Sequence, residues 1–271
     1  MTADAPIGLF DSGVGGLSIM KEVRRLLPGE DLIYVADSQY CPYGEKRPAE
    51  IRERSAVITR FLQEQGAKVV VVACNTASVA ALEYLRAEFP LPIVGVEPAV
   101  KQAALHSKNK KVGILATGVT LAGERYASLV ERFGGDLTVI NQPCPGLVEK
   151  VEAGEIDSPA TKALLVQYLQ PMQAAGVDVV VLGCTHYPFL KPLVRQLVAS
   201  GVQVIDTGEP VARQVCRVLT ENNLLAPAGR KGREWFYTSG DPASVRPVLE
   251  KLWGGTGEGL ARLPAPFSRG E

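Results

Sequence analysis

The 271 residues include 29 basic and 29 acidic side chains, with 46% hydrophobic and 6% aromatic residues. That apolar share excludes a disordered chain, and charge neutrality removes the basic face that nucleic-acid binding requires. No apolar run approaches the ~20 residues of a membrane helix, the first six residues lack the marks of a signal peptide, and five cysteines without an export signal read as reduced thiols, so a soluble cytoplasmic protein is expected.

Short apolar runs alternate with helical patterns, which implies βαβ units and parallel sheets. Ile7 to Phe10 reads as the first strand, followed by the glycine-rich turn Asp11-Ser12-Gly13-Val14-Gly15-Gly16. Leu17, Met20, Val23 and Leu27 then fall three or four apart, one apolar helical stripe that stops at Pro28-Gly29. Asp31 to Ala36 is a second strand, and the polar loop after it contains Cys41-Pro42-Tyr43-Gly44. Pro48 suits a first helical turn, with Ile51, Ser55, Ile58 and Leu62 on one face and Gly66 closing the helix. Val69 to Ala73 is a β-branched run of the kind covered on both faces.

The pattern then repeats. Ile7 to Val14 aligns with Val112 to Val119, and Gly66 to Thr76 aligns with Gly176 to His186, bringing Cys74 onto Cys184. The expected fold is α/β, two similar lobes with mainly parallel sheets flanked by helices and the active site in the cleft between them. The lobes fall at 1–97 and 98–207, with 208–271 packing back on the first. Pro92 to Pro98 and Thr207 to Pro210 are the expected crossings, and Leu263 to Glu271 reads as a loose tail.

Each copy puts a cysteine after a buried strand and before a helix, at the sheet edge where ligands bind and where a helix N-terminus favours thiolate. Two equivalent thiols facing one ligand suit removal of a proton from one face of a carbon and its return to the other. A Cys–His hydrolase would leave one thiol idle. Zinc on Cys74, Cys184 and His186 is disfavoured by only two histidines and no Cys-x-x-Cys pair. Redox dithiols usually share one motif. No phosphate loop is present, the turn after the first strand lacks dinucleotide-loop spacing, and no residue pattern calls for a cofactor.

Asp11 to Leu17, Pro42-Tyr43-Gly44, Ala73-Cys74-Asn75-Thr76-Ala77-Ser78, Glu149 to Glu155 and Gly183-Cys184-Thr185-His186-Tyr187-Pro188 together resemble the cofactor-independent, two-cysteine glutamate racemases of the aspartate/glutamate racemase family. The resemblance spans about residues 7–220. It implies that Cys74 takes the α-proton of D-glutamate and Cys184 that of L-glutamate, with Asp11 assisting Cys74 and with Glu152 and His186 assisting Cys184. It further implies that donors at Asp11, Ser12, Tyr43, Gly44, Asn75, Thr76, Thr185 and His186 hold the substrate, that no cofactor or metal takes part, that the D-glutamate serves peptidoglycan synthesis, and that the enzyme is a homodimer. Racemisation of another acidic amino acid such as aspartate, or a two-lobed amino-acid-binding protein without turnover, are the alternatives. Cys41, Cys144 and Cys216 read as small buried hydrophobes, His106 as surface, and Asp37 is given no part in the site.

Overall fold

A computed structural model describes residues 2–97, 99–255 and 259–268. The first lobe contributes β1 (Ile7–Asp11), β2 (Leu32–Ala36), β3 (Val69–Val72) and β4 (Ile93–Gly95). The second contributes β5 (Lys111–Ala116), β6 (Thr138–Pro143), β7 (Val179–Leu182) and β8 (Gln203–Ile205). Later in the chain come β9 (Glu234–Thr238) and β10 (Leu260–Arg262). One sheet runs β10-β9-β2-β1-β3-β4 and the other β6-β5-β7-β8. The order β2-β1-β3-β4 thus recurs as β6-β5-β7-β8, and every pairing is parallel.

β3 is four consecutive valines, all buried. β-Branched side chains restrict their own rotamers and pack well on a pleated surface, so an unbroken apolar run forms a strand covered on both faces. Successive residues serve opposite layers. Ile7, Leu9, Val69 and Val71 join one apolar cluster with Leu17, Met20 and Val23 of the helix Leu17–Leu26. Phe10, Val70 and Val72 join another with Ile51, Ile58 and Leu62 of the helix Pro48–Glu64. That helix ends against Gly66 at φ +79, a left-handed conformation that glycine reaches without a Cβ penalty. In the second sheet Val112, Ile114, Val179 and Val181 face their own cluster. Leu115, Val180 and Leu182 instead merge with the first lobe's cluster, so one continuous core joins the two sheets. Each such fully buried side chain contributes about 1.5–3 kcal/mol of burial free energy.

Three expectations are corrected. The Pro92 to Pro98 crossing is shorter than expected, because Ile93–Gly95 pairs with β3 as an edge strand; Pro98 lies outside the described residues. Leu263 to Ser268 is not a loose tail: Leu263 is buried, the Phe267 ring packs 5.4 Å from Phe61, and Arg54 donates to the Phe267 carbonyl. Residues 269–271 lie outside the described residues. Cys184 is followed not by an α-helix but by a 3₁₀ turn, Tyr187–Leu190, where Pro188 removes a backbone donor.

Candidate active site

Parallel pairing sends the carboxyl ends of β1, β3, β5 and β7 to one edge, so the residues that follow them meet. In the first lobe Asp11 ends β1, and its Oδ2 accepts the Gly16 N–H at 2.9 Å, holding the glycine turn closed. Cys74 follows β3 as the N-cap of the helix Asn75–Glu88, its sulfur accepting the Ala77 N–H at 3.5 Å. Ser, Thr, Asp and Asn are the residues that usually cap a helix. A cysteine there places a sulfur instead at the positive end of the helix dipole. The Cys74 thiol also points to Ser12 Oγ, 4.0 Å away.

In the second lobe Cys184 Sγ lies 3.7 Å from His186 Nδ1. The other ring nitrogen, Nε2, is 2.6 Å from Glu152 Oε1. Glu152 ends the helix Leu147–Glu152 and reaches across the cleft, where the same oxygen accepts the Val14 N–H at 2.7 Å. Thr185 Oγ1 donates to the Asp11 carboxylate at 3.3–3.4 Å, and Ser18 donates to the Thr185 carbonyl at 2.8 Å. Thr76 in the first lobe shares hydroxyl hydrogen bonds with Thr117 and Thr120 in the second. The edges of the two lobes are therefore stitched together around the two thiols.

The two thiols have unlike surroundings. Burial pushes the Cys74 thiol well up, and the charge on Asp11 pushes the same way, while the Ala77 N–H opposes both; Cys184 is close enough to add to the effect. Burial also raises the Asp11 carboxyl, against the pull of the His186 charge and of hydrogen bonds with Cys74 and Gly16. For His186, burial disfavours the charged ring, but hydrogen bonds with Cys184, Cys41 and Glu152 outweigh it and hold the imidazole well above the usual histidine range. His186 and Glu152 thus stand beside Cys184 and Asp11 beside Cys74, so each thiol has its own ionisable neighbours.

Of the expected binding residues, Ser12, Asn75, Thr76 and Thr185 are buried at this edge. Asn75 has a partner for neither its amide nitrogen nor its oxygen among the described residues. A buried amide left so is unfavourable by about 1–3 kcal/mol, which a polar ligand would relieve. Tyr43 differs from expectation in detail: its hydroxyl donates to Asp37 at 2.5 Å, and Asp37 in turn holds Arg54 at 2.8 Å. Asp37, which had been given no part, therefore fixes the loop that carries Gly44. Between Gly44 and Pro42 on one side and Thr117, Cys144 and Glu149 on the other opens a cavity of about 240 Å³.

Cys41 is the residue that sequence reasoning missed. The sequence suggests only a plain buried thiol, yet its sulfur lies within 4.8 Å of a ring nitrogen of His186, and burial pushes its own pKa up to about 12. Its place beside Pro42-Tyr43-Gly44 was the available signal. Cys144 is buried with its thiol on the Gln142 carbonyl, and Cys216 is half-buried on the helix Gly208–Glu221. All five cysteines are free. Among the described residues no helix is long and apolar enough to cross a membrane.

Paired parallel α/β sheets with a free thiol after each equivalent strand, one beside a carboxylate and one beside a His–Glu pair, define a scaffold for two-sided acid–base chemistry on a single carbon. The model of the Asp/Glu/Hydantoin racemase family matches residues 7–215. The chain belongs to that family. A glutamate racemase of Stutzerimonas stutzeri (strain A1501) is 52% identical over 251 residues, covering 92% of this chain and 94% of the relative. The crystal structure of Escherichia coli glutamate racemase in complex with L-glutamate and the activator UDP-MurNAc-Ala superposes with a TM-score of 0.84 at 36% identity, covering 96% of this chain and 98% of that one. The glutamate racemase of Francisella tularensis subsp. tularensis SCHU S4, crystallised with D-glutamate, also gives 0.84, at 29% identity over 97% of this chain and 98% of that one.

Proposed function

We infer that the protein is a glutamate racemase, an isomerase that interconverts L- and D-glutamate by proton transfer between two thiols. Cys184 takes the α-proton from L-glutamate and Cys74 delivers one to the opposite face; in reverse the roles exchange. His186 and Glu152 support negative charge on Cys184, and Asp11 supports Cys74. The observation that carries this reading is the pair of free cysteines at equivalent strand ends, each with its own ionisable neighbour. High identity to glutamate racemases over nearly the whole chain supports glutamate as substrate.

The chemistry is demanding because an amino-acid α-proton is far less acidic than a thiol of reference pKa about 8.5. Donors aimed at the developing carbanion must supply the difference, each ~1.4 kcal/mol being about tenfold in rate. Ser12, Tyr43, Gly44, Asn75, Thr76 and Thr185 are assigned to hold the ammonium and the two carboxylates. Helix N-termini and glycine turns suit such a doubly anionic substrate, and burial excludes water from the reacting carbon. The enzyme is assigned to the cytoplasm, as a homodimer, supplying D-glutamate for peptidoglycan. Five free cysteines suit a reducing compartment.

The test is incubation of the protein with L-glutamate in deuterated water, without pyridoxal phosphate or metal. Loss of optical rotation with deuterium at the α-carbon is expected. Exchange with aspartate but not glutamate would change the substrate, and no exchange with either would leave a binding protein.

A further inference from the structure

Cys41, Glu152 and His186 come from three segments far apart in the chain, yet one donor atom of each lies within 4.8 Å of the others. Thiolate, carboxylate and imidazole together form a donor set suited to zinc, and three protein ligands leave a fourth position for water. Only two histidines and no Cys-x-x-Cys pair disfavour zinc on Cys74, Cys184 and His186, but here the one histidine is joined by a thiol and a carboxylate that only the fold brings to it.

We propose that Cys41, Glu152 and His186 form an inhibitory site for a zinc-class divalent cation, whose binding occupies the Glu152–His186 pair that serves Cys184. The inhibitory half of this proposal rests on the reading that those two residues serve Cys184; the binding half does not. Cys41 has no assigned part in racemisation, which leaves its thiol free for another ligand.

The Glu152–His186 pair needs little movement to take an ion. Glu152 Oε1 and His186 Nε2 are 2.6 Å apart, with a proton between them. Two donors of a tetrahedral zinc site, with bonds of about 2.0–2.1 Å, stand roughly 3.3 Å apart. The ion therefore replaces the shared proton and the carboxylate draws back by under about 1 Å. Glu152 is the terminal residue of its helix and its side chain is 20% exposed, so it has room to do so. The Cys41 S–H bond breaks as the sulfur–metal bond forms, and its proton leaves to solvent along with the one from the Glu152–His186 pair. The ring is already oriented: Nδ1 faces Cys184 at 3.7 Å and Thr185 at 3.4 Å, leaving the Nε2 side for the ion. Such outer contacts fix a metal-binding imidazole.

The experiment adds Co²⁺, then Zn²⁺, to the purified full chain in metal-free buffer, reading the thiolate-to-cobalt charge-transfer band and, separately, the racemisation rate. One Co²⁺ per chain with that band is expected, displaced by Zn²⁺, together with zinc inhibition that a chelator reverses. Cys41→Ser should lose the band and weaken binding by more than about 100-fold, beyond what loss of an outer hydrogen bond costs. Its rate, compared with its own metal-free rate, should no longer respond to zinc. A Cys74→Ser/Cys184→Ser double variant should keep the band, which tests the site even where Cys41→Ser folds poorly. A band that survives Cys41→Ser, that vanishes in the double variant, or that never forms would overturn the site. The band is read without turnover, so a chain that binds cobalt as expected but fails to racemise would count against the glutamate racemase reading and not against the metal site.

Discussion

The imidazole of His186 fills the space that a side chain on Gly15 would occupy, and the carboxylate of Glu152 does the same at Gly13. The glycine turn after β1 is thus moulded on two side chains of the other lobe. A methyl at Gly15 must displace the ring that faces Cys184. Gly15→Ala is expected to lower stability by about 1–3 kcal/mol, the usual range for overpacking, and to cut racemisation strongly. Urea denaturation and turnover check this, with Gly118→Ala as the control, since a Cβ there meets nothing within 4 Å.

Either thiol alone should be insufficient. Cys74→Ser and Cys184→Ser are each expected to lower racemisation by at least about 100-fold, the scale of a lost general acid or base. Both should keep the wild-type circular dichroism and melting range, because serine occupies nearly the same volume. Full activity in either variant would remove that sulfur from the mechanism.

Asp11 gives a stability prediction with a definite sign. Burial dominates and raises its carboxyl above the usual range. The folded protein therefore holds that proton more tightly than the unfolded chain, for which the pKa is about 3.9. Stability from this group is fullest below that value and is lost as pH rises through the folded pKa. Asp11→Asn should then raise the urea midpoint at pH 7, with the gain shrinking as pH falls towards about 4, while activity drops. A lower midpoint at pH 7 would contradict this.

Asp37 and Arg54 form an ion pair with side-chain exposures of 0% and 3%. Removing one partner leaves the other charge buried and unpaired, which costs about 3–5 kcal/mol. Arg54→Met is expected to lose that much in urea denaturation and to loosen the Tyr43-Gly44 loop, raising KM more than it lowers kcat. Asp37→Leu combined with Arg54→Met should recover part of the stability but not the KM.

The strands were legible because β1, β3 and β7 are short unbroken apolar runs, and the recurrence of Val-Val-Val before Cys74 and Cys184 exposed the matched strand order. The site was legible where its residues sit next to those strands: Asp11, Cys74, Asn75, Thr185 and His186. Residues that depend on long-range packing were not. Cys41 meets His186 only because a polar loop folds over the sheet edge, and Asp37 meets Arg54 across an intervening loop. The packing of Leu263 and Phe267 was hidden by neighbouring prolines, which read locally as a tail although Phe61 gives the ring a partner. Ile93–Gly95 was too short, between two prolines, to show a strand period.

The central claim is that one thiol removes the proton and a different thiol supplies its replacement. The most direct measurement follows the first few per cent of L-glutamate turnover in deuterated water, separating the enantiomers and weighing each. A proton taken by Cys184 returns to the same face if the reaction reverses, whereas the opposite face receives a solvent-derived deuteron from Cys74. The account predicts deuterium in the D-glutamate formed and none in the L-glutamate recovered. Equal labelling of both enantiomers at that stage would mean a single exchanging base, and the two-thiol mechanism would be wrong.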